Sequence, residues 1–132
     1  MVTADQDWRS KWNSPRAETP RFSVTDSPRL GQKVFVLIFF GNPKLDNNRV
    51  ADITCDIRLT GPNDTVPVDV HNVDCFKGQI SMDPMSIFVS APVIEFKGEP
   101  ADPLGKRVVE VVLRDNNRKV EVPLRTEFEL KP

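Results

Sequence analysis

The chain of 132 residues contains no tyrosine, one histidine (His71) and two cysteines (Cys55 and Cys75). Without tyrosine, an exposed aromatic platform for sugar rings has little to be built from. One histidine and no Cys-x-x-Cys spacing leave too few ligands for a structural zinc site or a dithiol redox centre. The longest apolar run, residues 34–40, is far too short to span a bilayer as a helix, so no transmembrane segment is expected. Net charge is −1, with both signs spread along the chain, and that argues against nucleic acid or an anionic membrane surface as partner. No Gly-x-Ser-x-Gly elbow, P-loop or dinucleotide fingerprint occurs. The expectation is a protein that is not an enzyme and carries no cofactor.

Proline is abundant, at 12 residues, and it punctuates runs rich in β-branched residues. That is the composition of short strands joined by stiff turns. The clearest stretch is the last quarter. Val120, Val122, Leu124, Phe128 and Leu130 fall on one parity, and Lys119, Glu121, Arg125, Glu127 and Glu129 on the other. Such period-2 alternation describes a strand with one buried and one solvated face. A second apolar run at 108–113 precedes it, and Asp115-Asn116-Asn117 between them reads as a turn, so the chain ends in an antiparallel hairpin. The polar parity is mixed in sign, so the hairpin is expected to serve as scaffold rather than as a binding face.

Upstream, residues 34–40 are apolar throughout, as in a strand covered on both sides. In 51–60, Ala51, Ile53, Cys55, Ile57 and Leu59 share the inward parity. Residues 65–70 suggest a short edge strand, since Pro67 cannot donate to a ladder. Residues 72–85 show no clear period. A strand is expected around 93–96 after Pro92, followed by a proline-rich loop at 98–105.

Residues 1–30 differ from the rest. Thr3-Ala4-Asp5-Gln6 fits a capping box, and Trp8 and Trp12, four apart, share a face if helical. Pro15, Pro20 and Pro28 stop the helix early, and residues 21–24 fit a short extended piece. The tryptophans either plug one end of a β core or anchor a partner or ligand. Two units follow: an N-terminal segment, 1–30, packing on a core, and a β domain, 31–132.

About seven short strands with regular turn signals give an all-β, antiparallel immunoglobulin-like β-sandwich with a short N-terminal helical or irregular segment. Gly105, the 108–113 strand, the Asp115-Asn116-Asn117 turn and residues 120–130 resemble the closing strands of bacterial immunoglobulin-like domains. Leu37-Ile38-Phe39-Phe40-Gly41-Asn42-Pro43, Cys55-Asp56-Ile57-Arg58 and Gly98-Glu99-Pro100-Ala101-Asp102-Pro103-Leu104-Gly105 are similar to uncharacterised bacterial secreted and periplasmic proteins of that build. The resemblance implies an architecture and an envelope location, and it transfers no functional residue.

Chemistry has few seeds. Cys55 and Cys75 are either a disulfide, closing a loop in an oxidising compartment, or two separate buried thiols. The first residues, Met1-Val2-Thr3-Ala4-Asp5, lack the form of a signal peptide, which suits a cytoplasmic chain or a mature secreted one. Asp69 and His71 would share a strand face, with Asp74 nearby, and together they are the best start for a general base or metal site. Asp46, Asn47, Asn48, Asp64, Glu99, Asp102 and the Asp115-Asn116-Asn117 group supply either turns or calcium ligands, and turns are the simpler reading. The leading expectation is a non-catalytic binding or accessory module of the bacterial envelope, periplasmic or secreted, whose partner is another envelope protein. Its contact residues would include Trp8, Trp12, Asp69, His71 and Asp74. Two alternatives are a metal-dependent protein or enzyme centred on Asp69, His71 and Asp74, and a self-assembling structural subunit.

Overall fold

The computed structural model describes residues 1–13 and 20–132. Its elements are β1 (Val2–Thr3), α1 (Trp8–Asn13), β2 (Lys33–Val36), β3 (Phe39–Gly41), β4 (Val50–Thr60), β5 (Val68–Gln79), β6 (Ile87–Val89), β7 (Ile94–Lys97), β8 (Gly105–Asp115) and β9 (Val120–Leu130). The fold is all-β and antiparallel, with one short helix and one 3-10 turn, at Pro62–Asp64, among the described residues. One layer is a four-stranded sheet in the order β5-β4-β8-β9. The other holds β1-β2-β7, prolonged by the β3-β6 pair. Together they form a sandwich-like structure.

The layers close on one core. Alternation in β4 sends Ala51, Ile53, Cys55, Ile57 and Leu59 inward, and all are buried. From β8 come Val109, Val111 and Leu113, and from β9 Phe128. Val34, Val36 and Ile38 face them from the smaller layer. The apolar run at 34–40 is covered on both sides, as its composition implied. It is broken between β2 and β3, where the ladder changes partner from β7 to β6. The change follows from an excursion at 90–93, where Ser90 donates its hydroxyl to the carbonyl of Pro92 and the strand cannot continue straight.

The odd parity of that run faces outward onto the N-terminal segment. The ring centroids of Trp8 and Phe35 lie 6.2 Å apart, those of Trp12 and Phe39 5.4 Å, and those of Phe22 and Phe39 6.1 Å. The tryptophan helix therefore caps the outer face of the smaller layer instead of plugging one end of the sandwich. The expected capping box does not form. Thr3 belongs to β1, pairs with Phe35, and gives its hydroxyl proton to the carbonyl of Ser23. The helix begins later, at Trp8, whose amide donates to the Asp5 carbonyl. The Asp5 carboxylate accepts the Ser23 amide and the Lys11 ammonium, and these bonds hold its pKa below the ordinary value. Of residues 21–24, only Val24 pairs, in an isolated bridge to Thr3. Pro15 lies outside the described residues.

The edge strand beside β4 is longer than the expected 65–70: β5 runs through most of the stretch that showed no period. Two β-bulges explain this. Thr54 pairs with Asp74 and Ile53 with Phe76, which leaves Cys75 as an extra residue. Cys55 pairs with Val73 and Ile57 with Val70, and Asn72 takes a left-handed φ of 52° in the gap. Each bulge flips the parity, so the inward residues run Val68, then Val73 and Cys75, then Phe76.

The terminal hairpin forms as read, with Asp115 opposite Val120 and Gly105 opposite Leu130. Its inner parity is not buried throughout. Phe128 and Leu130 are buried, the first with its ring 5.2 Å from that of Phe96. Val120, Val122 and Leu124 remain 42, 45 and 37% exposed. β9 is the outer strand of its sheet, and β7 covers only its second half.

Candidate functional site

The outer face of the larger sheet carries a polar cluster. Arg58 on β4 stands opposite Asp69 on β5, and the bulge beside it brings His71 over the sheet. His71 Nε2 lies 3.0 Å from Asp69 Oδ1, and Nδ1 lies 3.6 Å from Asp56 Oδ2. Sequence reasoning placed Asp69 and His71 together, and they are together. It missed Asp56, because only the β4–β5 register brings that carboxylate across. Asp74 sits opposite Thr54 with no ion pair among the described residues.

Asp56 is already committed. Arg114 reaches over from β8 and donates to both its carboxylate oxygens, with Nη1 2.9 Å from Oδ1. The Asn72 amide donates to Asp56 Oδ1 as well, at 2.9 Å. The Arg114 bond, followed by the Asn72 amide, drives the Asp56 carboxyl far below the usual carboxylate range. Arg114 is in turn held protonated by Asp56 first and Glu121 second. A shallow hollow of about 240 Å³ lies beside this cluster, lined by Asp56, Asp69, His71, Glu110 and Val112 among others. Within it Asp56 is taken up by Arg114 and Asp69 lies against His71, which leaves an incoming metal ion few free oxygens there. Among the described residues no three histidine, cysteine, aspartate or glutamate side chains are placed to hold a metal ion.

The acidic and amide loops use their side chains on their own turns. Asp46 accepts the amides of Asn48 and Val50, and Asp102 accepts that of Glu99. Asp115, buried at the hairpin turn, accepts the amides of Lys44 and Arg118. Asn117 donates to the carbonyls of Lys44 and Val50, which ties the 42–50 loop to the hairpin.

Cys55 and Cys75 form a disulfide with Cα atoms 5.8 Å apart. Both residues are wholly buried, and the bond lies beneath the His71 face. It links β4 to β5 at the bulge, where the extra residue turns Cys75 inward.

Trp8 is 5% exposed and packs with Phe35 and Leu37 in a hydrophobic cluster separate from the core between the layers. Trp12 is half-buried and stands at one end of a hollow of about 520 Å³ that also takes in Phe76, Ile80, Met82, Ile87 and Phe88. Phe40, Phe76 and Phe88 cluster there with ring centroids 5.5 to 5.6 Å apart, Phe40 stacked on Phe88 and Phe76 edge-on to both. Met82 and Ile87 line the hollow and are 56 and 51% exposed, and Met85, in the loop between them, is 68% exposed. The loop 81–86 had no period to read, and its methionines gave no signal in the sequence.

A third hollow, of about 280 Å³, opens between the layers beside β9, with Val36, Ile38, Val109, Val111, Leu124 and Thr126 in its walls. No helix among the described residues is long and apolar enough to cross a membrane. No family model matches the chain, and no curated protein is significantly similar to it.

Proposed function

We propose that this chain is a non-catalytic binding or accessory module of the bacterial envelope, periplasmic or secreted. Its working surface would be the flank made by Trp12, Met82, Met85 and Ile87. The observation that carries the reading is that flank itself: Met82, Met85 and Ile87, each more than half exposed, with half-buried Trp12 beside a hollow lined by Phe76 and Phe88. Isolated exposed apolar residues need no explanation, but a contiguous group around a concavity is the mark of a contact surface. Methionine suits such a surface, because its unbranched, polarisable side chain adapts to different shapes. The occupant of this reading is a polypeptide segment of another envelope protein, with an aliphatic or aromatic anchor for the hollow. The buried disulfide supports an oxidising compartment.

The reading as a metal-dependent or catalytic centre at Asp69, His71 and Asp74 has less support. Arg114 already occupies Asp56, and Asp74 stands away from His71. Self-assembly through residues 1–30 is also less favoured, since Trp8 and Val2 are buried in the chain's own fold.

Photo-crosslinking in the native host tests the proposal. A benzophenone side chain at position 82 or 87 is expected to capture one protein of defined mass, and Trp12→Ala to reduce that adduct. The same probe at exposed Lys77, on the outer face of β5, serves as the control. No adduct at 82 and 87, or the same adducts from 77, would refute it.

A further inference from the structure

We infer that a second copy of this chain pairs antiparallel with β9 about a two-fold axis at Pro123, joining two four-stranded sheets into one. This surface is separate from the flank of the proposed function. The argument begins with which way the backbone of β9 points. The β8–β9 ladder runs without a register shift from Asp115 opposite Val120 to Gly105 opposite Leu130. At its far end, the amides of Glu129 and Lys131 donate away from β8, to the carbonyls of Asp26 and Pro28. The odd-numbered residues of β9 therefore turn their main chain toward the free edge: Glu121, Pro123, Arg125 and Glu127.

That edge is bounded at both ends. Residues 26–28 close it at Glu129, and the hairpin turn closes it at Lys119, whose amide donates to the Asp115 carbonyl. Among the described residues the open stretch runs from 120 to 127, and Pro123 stands at its middle. Proline has no N–H, and at an edge it normally discourages strand addition. Placed opposite itself, it confines the lost main-chain bonds to one point on the axis. The pairs on either side, residue 121 with 125 of the second copy and its symmetry mate, keep theirs.

Charge selects the same register. With Pro123 on the axis, Glu121 faces Arg125 of the second copy, twice over. Sliding the strands by two residues sets Glu121 against Glu127, or Lys119 against Arg125, and like charges opposite each other destabilise. The chosen register also continues a pattern already present within the chain. Across the outer face, Arg58 stands opposite Glu110 and Glu110 opposite Arg125, whose own ion pair is with Glu127 on the same strand. One row over, Arg114 bonds Asp56 and lies 3.0 Å from Glu121. Joined at the axis, these rows alternate in sign through six side chains: Arg58, Glu110 and Arg125 of one copy, then Glu121, Arg114 and Asp56 of the other.

The opposite face gives the apolar part. Val122 of each copy meets Leu124 of the other, and Val120 meets Thr126. Val120, Val122 and Leu124 are the β9 residues that the chain's own smaller layer leaves 37 to 45% exposed. The axis thus gathers the uncovered aliphatics on one face and self-complementary charges on the other.

Analytical ultracentrifugation with charge variants tests the inference. The wild-type chain is expected to show a concentration-dependent monomer–dimer equilibrium in the micromolar range. Glu121→Arg sets like charge opposite Arg114, and Arg125→Glu sets it opposite Glu110, so each variant should melt somewhat below the parent while staying folded, and should weaken dimerisation at least about tenfold. An equimolar mixture of the two variants restores Glu–Arg opposition at both pairs, and should associate as strongly as wild type. A merely structural role for either residue would not produce that rescue. A wild-type chain that stays monomeric at high micromolar concentration, or a mixture that fails to associate, would overturn the inference.

Discussion

Removing the Cys55–Cys75 bond should reveal how much of the sandwich depends on one covalent tie. The two residues are 20 apart in sequence, and in the chain-entropy account a loop of that size stabilises the folded state by about 3 kcal/mol. For a domain of this length, that corresponds to a fall of roughly 10 °C in Tm, or about 1–2 M in the urea midpoint. Both cysteines are wholly buried, so reductant should not reach the sulfurs of the folded protein. The assay is therefore to unfold the chain, reduce it, and refold it with reductant present. The reduced wild type keeps every side chain and loses only the crosslink. A Cys55→Ala/Cys75→Ala chain loses sulfur packing as well and should melt lower still. Hydrogen exchange locates the effect: amides near the bulge at Val73 and Phe76 should lose protection before those of β8. Equal Tm for oxidised and refolded reduced chains would refute the reasoning, as would rapid alkylation of either cysteine in the oxidised native protein.

Other residues make distinct demands. The Asp56 carboxyl is held below the ordinary carboxylate value, near 4, so its stabilising contribution is complete above that pH and is lost as pH falls below it. Asp56→Asn should lower stability at neutral pH and flatten the decline below pH 4, as read by urea melts across a pH series; an unchanged acid slope would contradict the Arg114 pairing. Trp8→Ala should cost about 3–5 kcal/mol, because it empties a buried site against Phe35 and Leu37, while half-buried Trp12→Ala should cost clearly less. Gly98→Ala would place a Cβ 2.5 Å from Cδ1 of buried Leu130 and should cost about 1–3 kcal/mol in chemical denaturation. Gly78→Ala, with nothing within 4 Å of its Cβ, should be nearly neutral by the same measurement.

Much of this architecture was legible because several strands keep strict parity. β4 alternates without interruption, and its five inward residues are all buried. β8 and β9 declare their turn through Asp115-Asn116-Asn117, and Asp115 does anchor it. β5 was illegible for a physical reason: its two bulges reverse the parity at 71–72 and again at 75–76, so no single period fits its length. The capping box misled because Thr3 satisfies its hydroxyl through Ser23, a residue that the local pattern cannot see. The polar site was half legible. Asp69 and His71 are neighbours on one strand, but Asp56 and Arg114 arrive from two other strands, through a register that composition does not encode.

The two edges of the larger sheet are treated differently, and the difference bears on function. β5 is bent by bulges, starts just past Pro67, and carries mostly exposed polar side chains. Such an edge resists added strands. The same bulges also turn Cys75 inward to its disulfide and lift His71 beside Asp69, so the guarding of this edge and the placing of its side chains have one cause. β9 is straight and in continuous register with β8, and Pro123 is the one residue in its open stretch that lacks a donor. If guarding were its whole purpose, a charged residue on the inner parity would serve, yet that parity holds Val120, Val122 and Leu124. An edge with aliphatics inward, a proline at its centre and opposite charges placed evenly about that proline discriminates among strands rather than rejecting all of them. The same chain in antiparallel orientation satisfies it, because only a sequence with the reversed charge order meets Glu121 with Arg125 and Arg125 with Glu121.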